Sequence, residues 1–316
     1  MSPVRKLTWE MQVFRLGRRL YDLALGLVPF LRDPLTFRMV ALETTTECTR
    51  NCPYCPPHSS MRIPRLRMAP ELYRRVLDSL AAHGYTEKIF FNIYGEPLTD
   101  ERLEEWLGLA RARLPGAKLI VFTNGDLLTV KRFLSLKKAG MDVLSISQHS
   151  ATLPAPTAAA LRALERDYPK LADFWVVNYY RQYNVWWENV GLLNNKGGLA
   201  DVNRVPYLHC CDVESAAVDC LGNVLLCNND CTSSYVFGNV GEKDLYEIWN
   251  APAFLAARRK IMGGKWIFEI CRRCMARSGA TVAVPPGKAA RLPRAFHDMR
   301  RVLDAMKRGR TEKDRR

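Results

Sequence analysis

The sequence has no apolar run long enough to cross a bilayer. The run Leu23–Leu31 contains Gly26 and Pro29 and falls far short of the roughly 20 residues that a spanning helix needs. It also lacks a small-residue cleavage site, so we do not expect a secretory signal peptide. These absences predict a cytoplasmic protein, in which thiols stay reduced and are available to metals.

Internal repeats are lacking too, and acidic residues are outnumbered, since 47 Lys and Arg against 32 Asp and Glu give a net charge of +15. Residues 1–37 contribute +3 of this excess and residues 288–316 contribute +7. Because charged termini are commonly solvated, nucleic acid is not the favoured partner. Residues 9–31 predict a basic amphipathic helical segment that docks on the protein itself, with a membrane surface as the alternative.

From residue 38 onward, strand-like and helix-like runs alternate. The strand-like runs are Met39–Glu43, Lys88–Tyr94, Lys118–Thr123, Val143–Ser147 and Trp175–Tyr179, and the helix-like runs are 70–83, 100–113, 129–139 and 157–167. Alternation at this spacing indicates parallel βα units. With a weaker sixth strand at 202–205, the prediction is an α/β fold with a partial (β/α)6 TIM-like barrel, whose functional residues lie at the carboxyl ends of the strands.

The pattern changes near Gly197 and Gly198. Short strand-like pieces at 216–218 and 224–226 flank a turn at 221–223, which predicts a β-hairpin, and a helix is predicted over 242–262. The expected organisation is an N-terminal helical segment (1–37), the barrel (38–200), a small α+β domain with the hairpin (201–287) and a basic tail (288–316).

Ten cysteines are many for a cytoplasmic chain, and their placement is informative. Cys48, Cys52 and Cys55 follow the first predicted strand, while the other seven fall within 210–274. A [4Fe–4S] cube takes four ligands, so three thiolates leave one iron open, as a catalytic centre requires. A zinc site that lacks its fourth ligand is the weaker interpretation.

Here the chain resembles the radical S-adenosylmethionine superfamily over about 38–200. The family signature is CxxxCxΦC, in which Tyr54 takes the aromatic place, and the second strand is followed by a GGEP-like motif, here Tyr94-Gly95-Glu96-Pro97. Tyr94 replaces one glycine of that motif. The resemblance implies a [4Fe–4S] cluster whose open iron is chelated by S-adenosylmethionine.

The motif also implies residues that bind the cofactor. Gly95, Glu96 and Pro97 are expected at its methionyl amino group, since glycine permits close backbone approach and a carboxylate pairs with an ammonium. Asn124, at the end of the third strand, and Ser147, at the end of the fourth, match family positions that contact the cofactor or the substrate. His149 is a candidate acid or base, with a structural histidine as the equal alternative.

A second cysteine pattern resembles the SPASM or shorter twitch extension of radical enzymes. Its implied ligands for an auxiliary [4Fe–4S] cluster are Cys211, Cys227, Cys271 and Cys274, and Cys210 could replace Cys211. No cysteine follows Cys274, so one auxiliary cluster is expected rather than two. The alternative is a structural zinc, because CxxC pairs also build zinc ribbons.

The resemblance implies reductive cleavage of S-adenosylmethionine to a 5′-deoxyadenosyl radical that abstracts hydrogen from the substrate. The electron would come from a donor such as flavodoxin or ferredoxin. Peptide-maturing members usually carry a leader-binding domain, which is not evident here, so a small sugar-like or aminoglycoside-like substrate is expected. A peptide maturase is the alternative, and a zinc-containing nucleic-acid-binding protein is the distant one.

Two reaction types remain open. In an epimerase, a spare thiol would return a hydrogen atom to the substrate, and Cys231 is the first candidate, ahead of Cys210 and Cys220. In a two-electron oxidation of the substrate, Asp230 would accept a proton while the auxiliary cluster accepts an electron. Both residues lie close in sequence to Cys227.

Overall fold

The computed structural model describes residues 35–52, 55, 65–148, 152–179, 210, 212–231 and 233–272. Its strands are β1 (Met39–Leu42), β2 (Lys88–Phe91), β3 (Lys118–Thr123), β4 (Val143–Gln148), β5 (Trp175–Tyr179), β6 (Ser215–Val218), β7 (Asn223–Leu225) and β8 (Val236–Asn239). Its α-helices are α1 (Pro70–Ala82), α2 (Leu103–Arg113), α3 (Val130–Lys138), α4 (Ala155–Asp167), α5 (Leu245–Asn250) and α6 (Pro252–Met262). Short 3-10 helices span Pro97–Thr99, Pro169–Phe174 and Asp212–Glu214.

One sheet contains all eight of these strands, in the order β5-β4-β3-β2-β1-β6-β7-β8. Strands β1 to β5 pair in parallel, and a helix follows each of the first four. Helices of this kind pack against the outer face of the parallel strands, and the strand residues are mostly buried. The predicted α/β architecture is confirmed, and the unclosed sheet is a partial barrel.

The predicted hairpin is also present, because β6 and β7 pair antiparallel and Gly222 in the turn has φ +82°. Its position was not predicted. Strand β6 pairs in parallel with β1, with Met39 opposite Ser215, so the hairpin continues the sheet on the far side of β1. The predicted strand at 202–205 and the boundary near Gly197 lie outside the described residues, as do the N-terminal segment up to residue 34 and the basic tail.

The predicted helix over 242–262 is wrong in one respect, since the structure has two helices there. Helix α5 ends at Asn250 and α6 begins at Pro252. Ala251 between them is extended, with φ −55° and ψ 137°. A residue before proline is disfavoured in the helical region, which explains the break. The predicted helix over 100–113 begins at Leu103 instead, after the 3-10 turn Pro97–Thr99.

The larger of two hydrophobic clusters among the described residues joins the two ends of the described chain. Phe37, just before β1, contacts Trp249 of α5 with ring centroids 5.2 Å apart, and it also contacts Tyr85 beyond α1. Trp249 in turn meets Phe254 of α6 at 5.1 Å. These buried aromatic pairs hold the later helices against the parallel strands, and Cys210 and Cys271 pack against the same core.

Candidate active site

The first three cysteines follow β1, and we call the described residues that carry them, 48–52 and 55, the cysteine loop. The Cys55 N–H donates to the Cys52 carbonyl at 3.0 Å, and the Arg50 N–H donates to Cys48 Sγ at 3.4 Å. All three thiols are half-buried. Burial raises the pKa of the Cys48 thiol, an effect that the Arg50 N–H opposes. Tyr54 lies outside the described residues.

The cysteine loop offers three half-buried thiols as ligands for a metal centre. Within the ranges that the structure describes, no group of three or more His, Cys, Asp or Glu side chains converges on a position for one metal ion. A [4Fe–4S] cube binds each thiolate through a different iron. Three thiolates therefore fit a cube that leaves one iron open for a further ligand.

Gly95 lies where the connection after β2 passes the connection after β1. A Cβ on Gly95 would lie 1.8 Å from the Thr45 carbonyl oxygen. The adjacent Glu96 N–H donates to the Glu47 carbonyl at 2.7 Å. Position 95 thus requires glycine because the backbone here passes close to the Thr45 carbonyl. The motif alone suggested that glycine lets the backbone approach a cofactor.

Gly95→Ala is expected to lower the free energy of unfolding by about 3 kcal/mol or more, the upper end for overpacking, because rigid backbone atoms must move. Chemical denaturation of the anaerobic, cluster-loaded protein measures this. The matched control is Gly108→Ala in the middle of α2, where a new Cβ meets nothing within 4 Å. That change should stabilise the protein by about 0.5–1 kcal/mol. Equal stability of the two variants would contradict the account of Gly95.

Glu96 is buried and accepts hydrogen bonds from its own protein. Its Oε1 accepts from the Thr123 hydroxyl at 2.6 Å and the Leu98 N–H at 3.1 Å, and its Oε2 accepts from the Asn124 N–H at 2.7 Å. Burial raises its pKa to about 7, although these donors oppose the shift. The side chain therefore ties the end of β2 to the end of β3. Pro97 begins the next 3-10 turn. Binding of the cofactor by Glu96 stays a prediction.

Asn124 connects the end of β3 to the cysteine loop. Its Nδ2 donates to Thr49 Oγ1 at 2.9 Å and lies 3.8 Å from Cys48 Sγ. Ser147 is buried near the end of β4, at the same edge of the sheet. His149 lies outside the described residues.

The later cysteines are divided between described and undescribed parts of the chain. Cys227 follows β7, and Cys210 and Cys271 are half-buried and pack against the core. Cys211 and Cys274 lie outside the described residues. Cys220 is buried, and its thiol donates to the Glu43 carbonyl at 3.1 Å. Burial raises the pKa of Cys220 above its usual value.

A cleft of roughly 130 Å³ opens at the carboxyl ends of β1, β2 and β6. Its lining includes Glu43, Tyr94, Asp219, Asp230 and Cys231. By volume, such a space holds several water-sized groups. The cleft is therefore the candidate substrate site.

Tyr94, the residue that departs from the GGEP motif, lies near thiols of both the cysteine loop and the later cysteines. Burial raises its pKa well above the usual value, and the nearby Cys231, Cys227 and Cys55 thiols raise it further. Burial and the Asp230 carboxylate raise the pKa of Cys231 to about 11, opposed by a hydrogen bond with Tyr94. The Cys231 thiol thus keeps its proton at neutral pH.

The two aspartates in the cleft wall hold turns together. Asp230 is 1% exposed, and its oxygens accept the N–H groups of Ser234 and Tyr235 at 3.0 and 2.8 Å. Asp219 accepts two backbone N–H groups, the Asn223 side chain and the Ser233 hydroxyl. Both carboxylates therefore stabilise the turns in which they lie. The role of Asp230 as a base stays a prediction.

Glu43 is the carboxyl that sequence reasoning missed. It follows β1 directly and is 7% exposed, and its Oε1 accepts the Tyr94 N–H at 3.3 Å. Burial, followed by repulsion from Asp219, raises its pKa to about 7. The available signal was its position, since it lies between a buried strand and the first cysteine.

An unclosed parallel sheet with three thiols after its first strand defines an iron–sulfur enzyme of the partial-barrel type. Comparisons with known proteins name the family. Residues 42–166 match the Radical SAM superfamily, and residues 210–275 match SPASM, an iron–sulfur cluster-binding domain. The chain belongs to the radical SAM superfamily. Its cofactors are S-adenosylmethionine, the cluster that binds it and an auxiliary [4Fe–4S] cluster.

Individual relatives cover most of the chain. The S-adenosyl-L-methionine-dependent 2-deoxy-scyllo-inosamine dehydrogenase of Niallia circulans is 32% identical over 247 residues, which are 75% of this chain and 92% of the relative. The crystal structure of BtrN in complex with AdoMet and 2-DOIA matches with a TM-score of 0.64 and 29% identity, again over 75% and 92% of the two chains. Selenomethionine BtrN in an open conformation matches over the same shares with a TM-score of 0.56 and 27% identity.

Among the described residues, no helix is long and apolar enough to span a membrane. The cytoplasmic location and the docking of the N-terminal segment stay predictions. The alternative of a zinc-containing nucleic-acid-binding protein loses its basis, because family membership accounts for the cysteine loop.

Proposed function

We propose that this enzyme is a dehydrogenase that oxidises a secondary carbinol of a small, amine-bearing polyhydroxylated ring to a ketone. The observation that carries the proposal is the cleft, which is lined by Thr46, two residues before Cys48, and by Cys231, and which contains the buried carboxyl of Glu43. Similarity to the 2-deoxy-scyllo-inosamine dehydrogenase over 92% of that protein supports the reaction and the substrate class.

We assign the cluster that binds S-adenosylmethionine to Cys48, Cys52 and Cys55, with Gly95, Glu96, Pro97, Asn124, Ser147 and Tyr54 around the cofactor. We assign the auxiliary cluster to Cys227, Cys271 and Cys274, with Cys211 or its neighbour Cys210 as the fourth ligand. When bound, these groups supply a radical that abstracts hydrogen and an acceptor for one electron. A flavodoxin-like or ferredoxin-like donor would supply reducing electrons.

Oxidation of a carbinol to a ketone removes one hydrogen atom from carbon, one proton from oxygen and one electron. The hydrogen atom goes to the radical and the electron goes to the auxiliary cluster, so the protein must supply a base in the cleft only for the proton. Glu43 suits this task, because a pKa of about 7 leaves it partly deprotonated at neutral pH and yet basic enough to accept a proton. Asp230 is the rival, since it lines the same cleft, and both carboxyls accept hydrogen bonds from backbone N–H groups.

Epimerisation is the second candidate reaction, and one observation favours it. The Cys231 thiol lines the cleft and keeps its proton at neutral pH, since its pKa is about 11. A protonated thiol can return a hydrogen atom to a carbon radical, which would invert the carbinol and leave its oxidation state unchanged. The thiyl radical that forms on sulfur would be returned to the thiol by one electron from the external donor and one proton from solvent. A peptide maturase has less support, because the name of the relative that is covered to 92% of its length is that of a small-molecule dehydrogenase.

Turnover in D₂O separates the two reactions. The reconstituted chain would be incubated anaerobically with S-adenosylmethionine, a reductant and 2-deoxy-scyllo-inosamine. We expect a ketone and 5′-deoxyadenosine in equal amounts, with no solvent deuterium on the ring carbon. An epimer that carries solvent deuterium, and that Cys231→Ala abolishes, would replace oxidation by epimerisation. A substrate that is recovered unchanged would refute the proposed substrate class.

A further inference from the structure

Asp126 lies in the turn after β3 and forms a paired contact with the cysteine loop. Arg50 Nε donates to Asp126 Oδ2 at 2.7 Å, and Arg50 Nη2 donates to Asp126 Oδ1 at 2.5 Å. The side chains are only 18% and 25% exposed. A bidentate arginine–carboxylate pair that is shielded from water is stronger and more directional than an exposed ion pair.

The same turn holds the residues next to Arg50. Thr49 Oγ1 donates to Asp126 Oδ2 at 3.0 Å, and Arg50 Nη2 also donates to the Asn124 carbonyl at 3.3 Å. The Asp126 N–H donates to Asn124 Oδ1 at 2.9 Å, which orders the turn itself. Residues 48–50 are therefore attached to residues 124–126 by several bonds.

These contacts reach the sulfur of Cys48. The Arg50 N–H donates to Cys48 Sγ at 3.4 Å, and Asn124 Nδ2 lies 3.8 Å from the same atom. Groups outside the metal ligands commonly orient those ligands, and their loss lowers metal affinity. Here the orienting groups are fixed by the Arg50–Asp126 pair.

We infer that Arg50 and Asp126 are positioning residues that hold Cys48 in place for its cluster and thereby determine how firmly the cluster is bound. The inference rests on the ligand assignment proposed above. It does not depend on the substrate, so the cluster itself provides the measurement.

The test compares iron release to a chelator from the full chain loaded with both clusters. Asp126→Asn keeps the size of the side chain but removes the ion pair, and it should speed release from the first cluster by about 10–100-fold. Arg50→Lys keeps the charge and loses the two-pronged geometry, so it should act in the same direction. The double variant should be no worse than the single ones, because both remove one interaction.

Asp142→Asn is the matched control. Arg111 Nη2 lies 2.5 Å from Asp142 Oδ2, and these side chains are 16% and 12% exposed, but the pair lies just before β4, at the other end of the sheet. This variant should lower the melting temperature and leave iron release unchanged. Equal acceleration in Asp126→Asn and Asp142→Asn, or wild-type release in Asp126→Asn, would overturn the inference.

A Cys48, Cys52 and Cys55 triple Ala variant identifies the iron that belongs to the first cluster. If that variant keeps all of its iron, the ligand assignment fails, and the inference about Arg50 and Asp126 fails with it. If it loses the first cluster while Asp126→Asn releases iron at the wild-type rate, the ligand assignment stands and only the positioning role is wrong.

Discussion

Replacing Cys48, Cys52 and Cys55 together by Ala is expected to abolish reductive cleavage of S-adenosylmethionine and to leave about half of the iron. Two [4Fe–4S] cubes contain about eight irons, and removal of one leaves about four. The physical reason is that an alanine methyl group cannot ligate iron, and the three half-buried thiols are the donors that the loop offers. Iron and sulfide analysis measures the clusters, and formation of 5′-deoxyadenosine without substrate measures cleavage.

Cys220→Ala is the matched control for this experiment. Cys220 is a buried cysteine whose thiol donates to the Glu43 carbonyl, and we assign it no metal. The variant should keep about eight irons and cleave S-adenosylmethionine at the wild-type rate, by the same cube stoichiometry. A wild-type protein with about four irons would refute the auxiliary cluster. A triple variant that still cleaves S-adenosylmethionine would refute the assignment of the first cluster to the cysteine loop.

The parallel part of the fold could be predicted from the sequence because its signals are local. The helix predicted at 70–83 is observed at 70–82, where Pro70 fits the first turn, and the strand predicted at 118–123 has those bounds. Pairing between β6 and β1 could not be predicted in this way. It joins residues that are far apart in the chain, and the alternation of apolar residues does not specify which strand a hairpin adjoins.

In the candidate site, too, local patterns could be predicted and contacts between distant residues could not. A cysteine spacing is a local pattern, so the cysteine loop was visible in the sequence. Arg50 and Asp126 are separated by 76 positions, and neither belongs to a motif that marks it as a partner. Glu43 was missed because a single carboxyl after a strand is common, and its significance comes from burial in the cleft.

Glu96 illustrates a different limit. The motif predicted a carboxylate that binds a cofactor ammonium, and a carboxylate at this position can do so. The structure adds that Thr123, Asn124 and Leu98 already donate to its two oxygens. A substitution here would affect the joint between β2 and β3 as well as any bound cofactor, so reduced affinity alone would not identify its role.

Glu43→Gln is expected to lower ketone formation by about 10²–10⁴-fold, the usual contribution of a positioned base. Glutamine has nearly the same shape and can still accept a hydrogen bond from the Tyr94 N–H, but its amide cannot take up a proton at neutral pH. Formation of 5′-deoxyadenosine should continue, because hydrogen abstraction from carbon does not use this carboxyl. The measurement is therefore the ratio of ketone to 5′-deoxyadenosine, which should fall far below one.

The pH dependence gives a second, independent measurement on the same variant. A base must be deprotonated to act, and the pKa of Glu43 is raised to about 7 by burial and by the nearby Asp219. Ketone formation by the wild type should therefore rise as the pH increases through about 7, and this rise should be absent in Glu43→Gln. Asp230→Asn is the comparison, since Asp230 lines the same cleft but is already bonded to two backbone N–H groups. Asp230→Asn could instead lower the ratio of ketone to 5′-deoxyadenosine while Glu43→Gln leaves it unchanged. In that case the base is Asp230, and Glu43 has a structural role only.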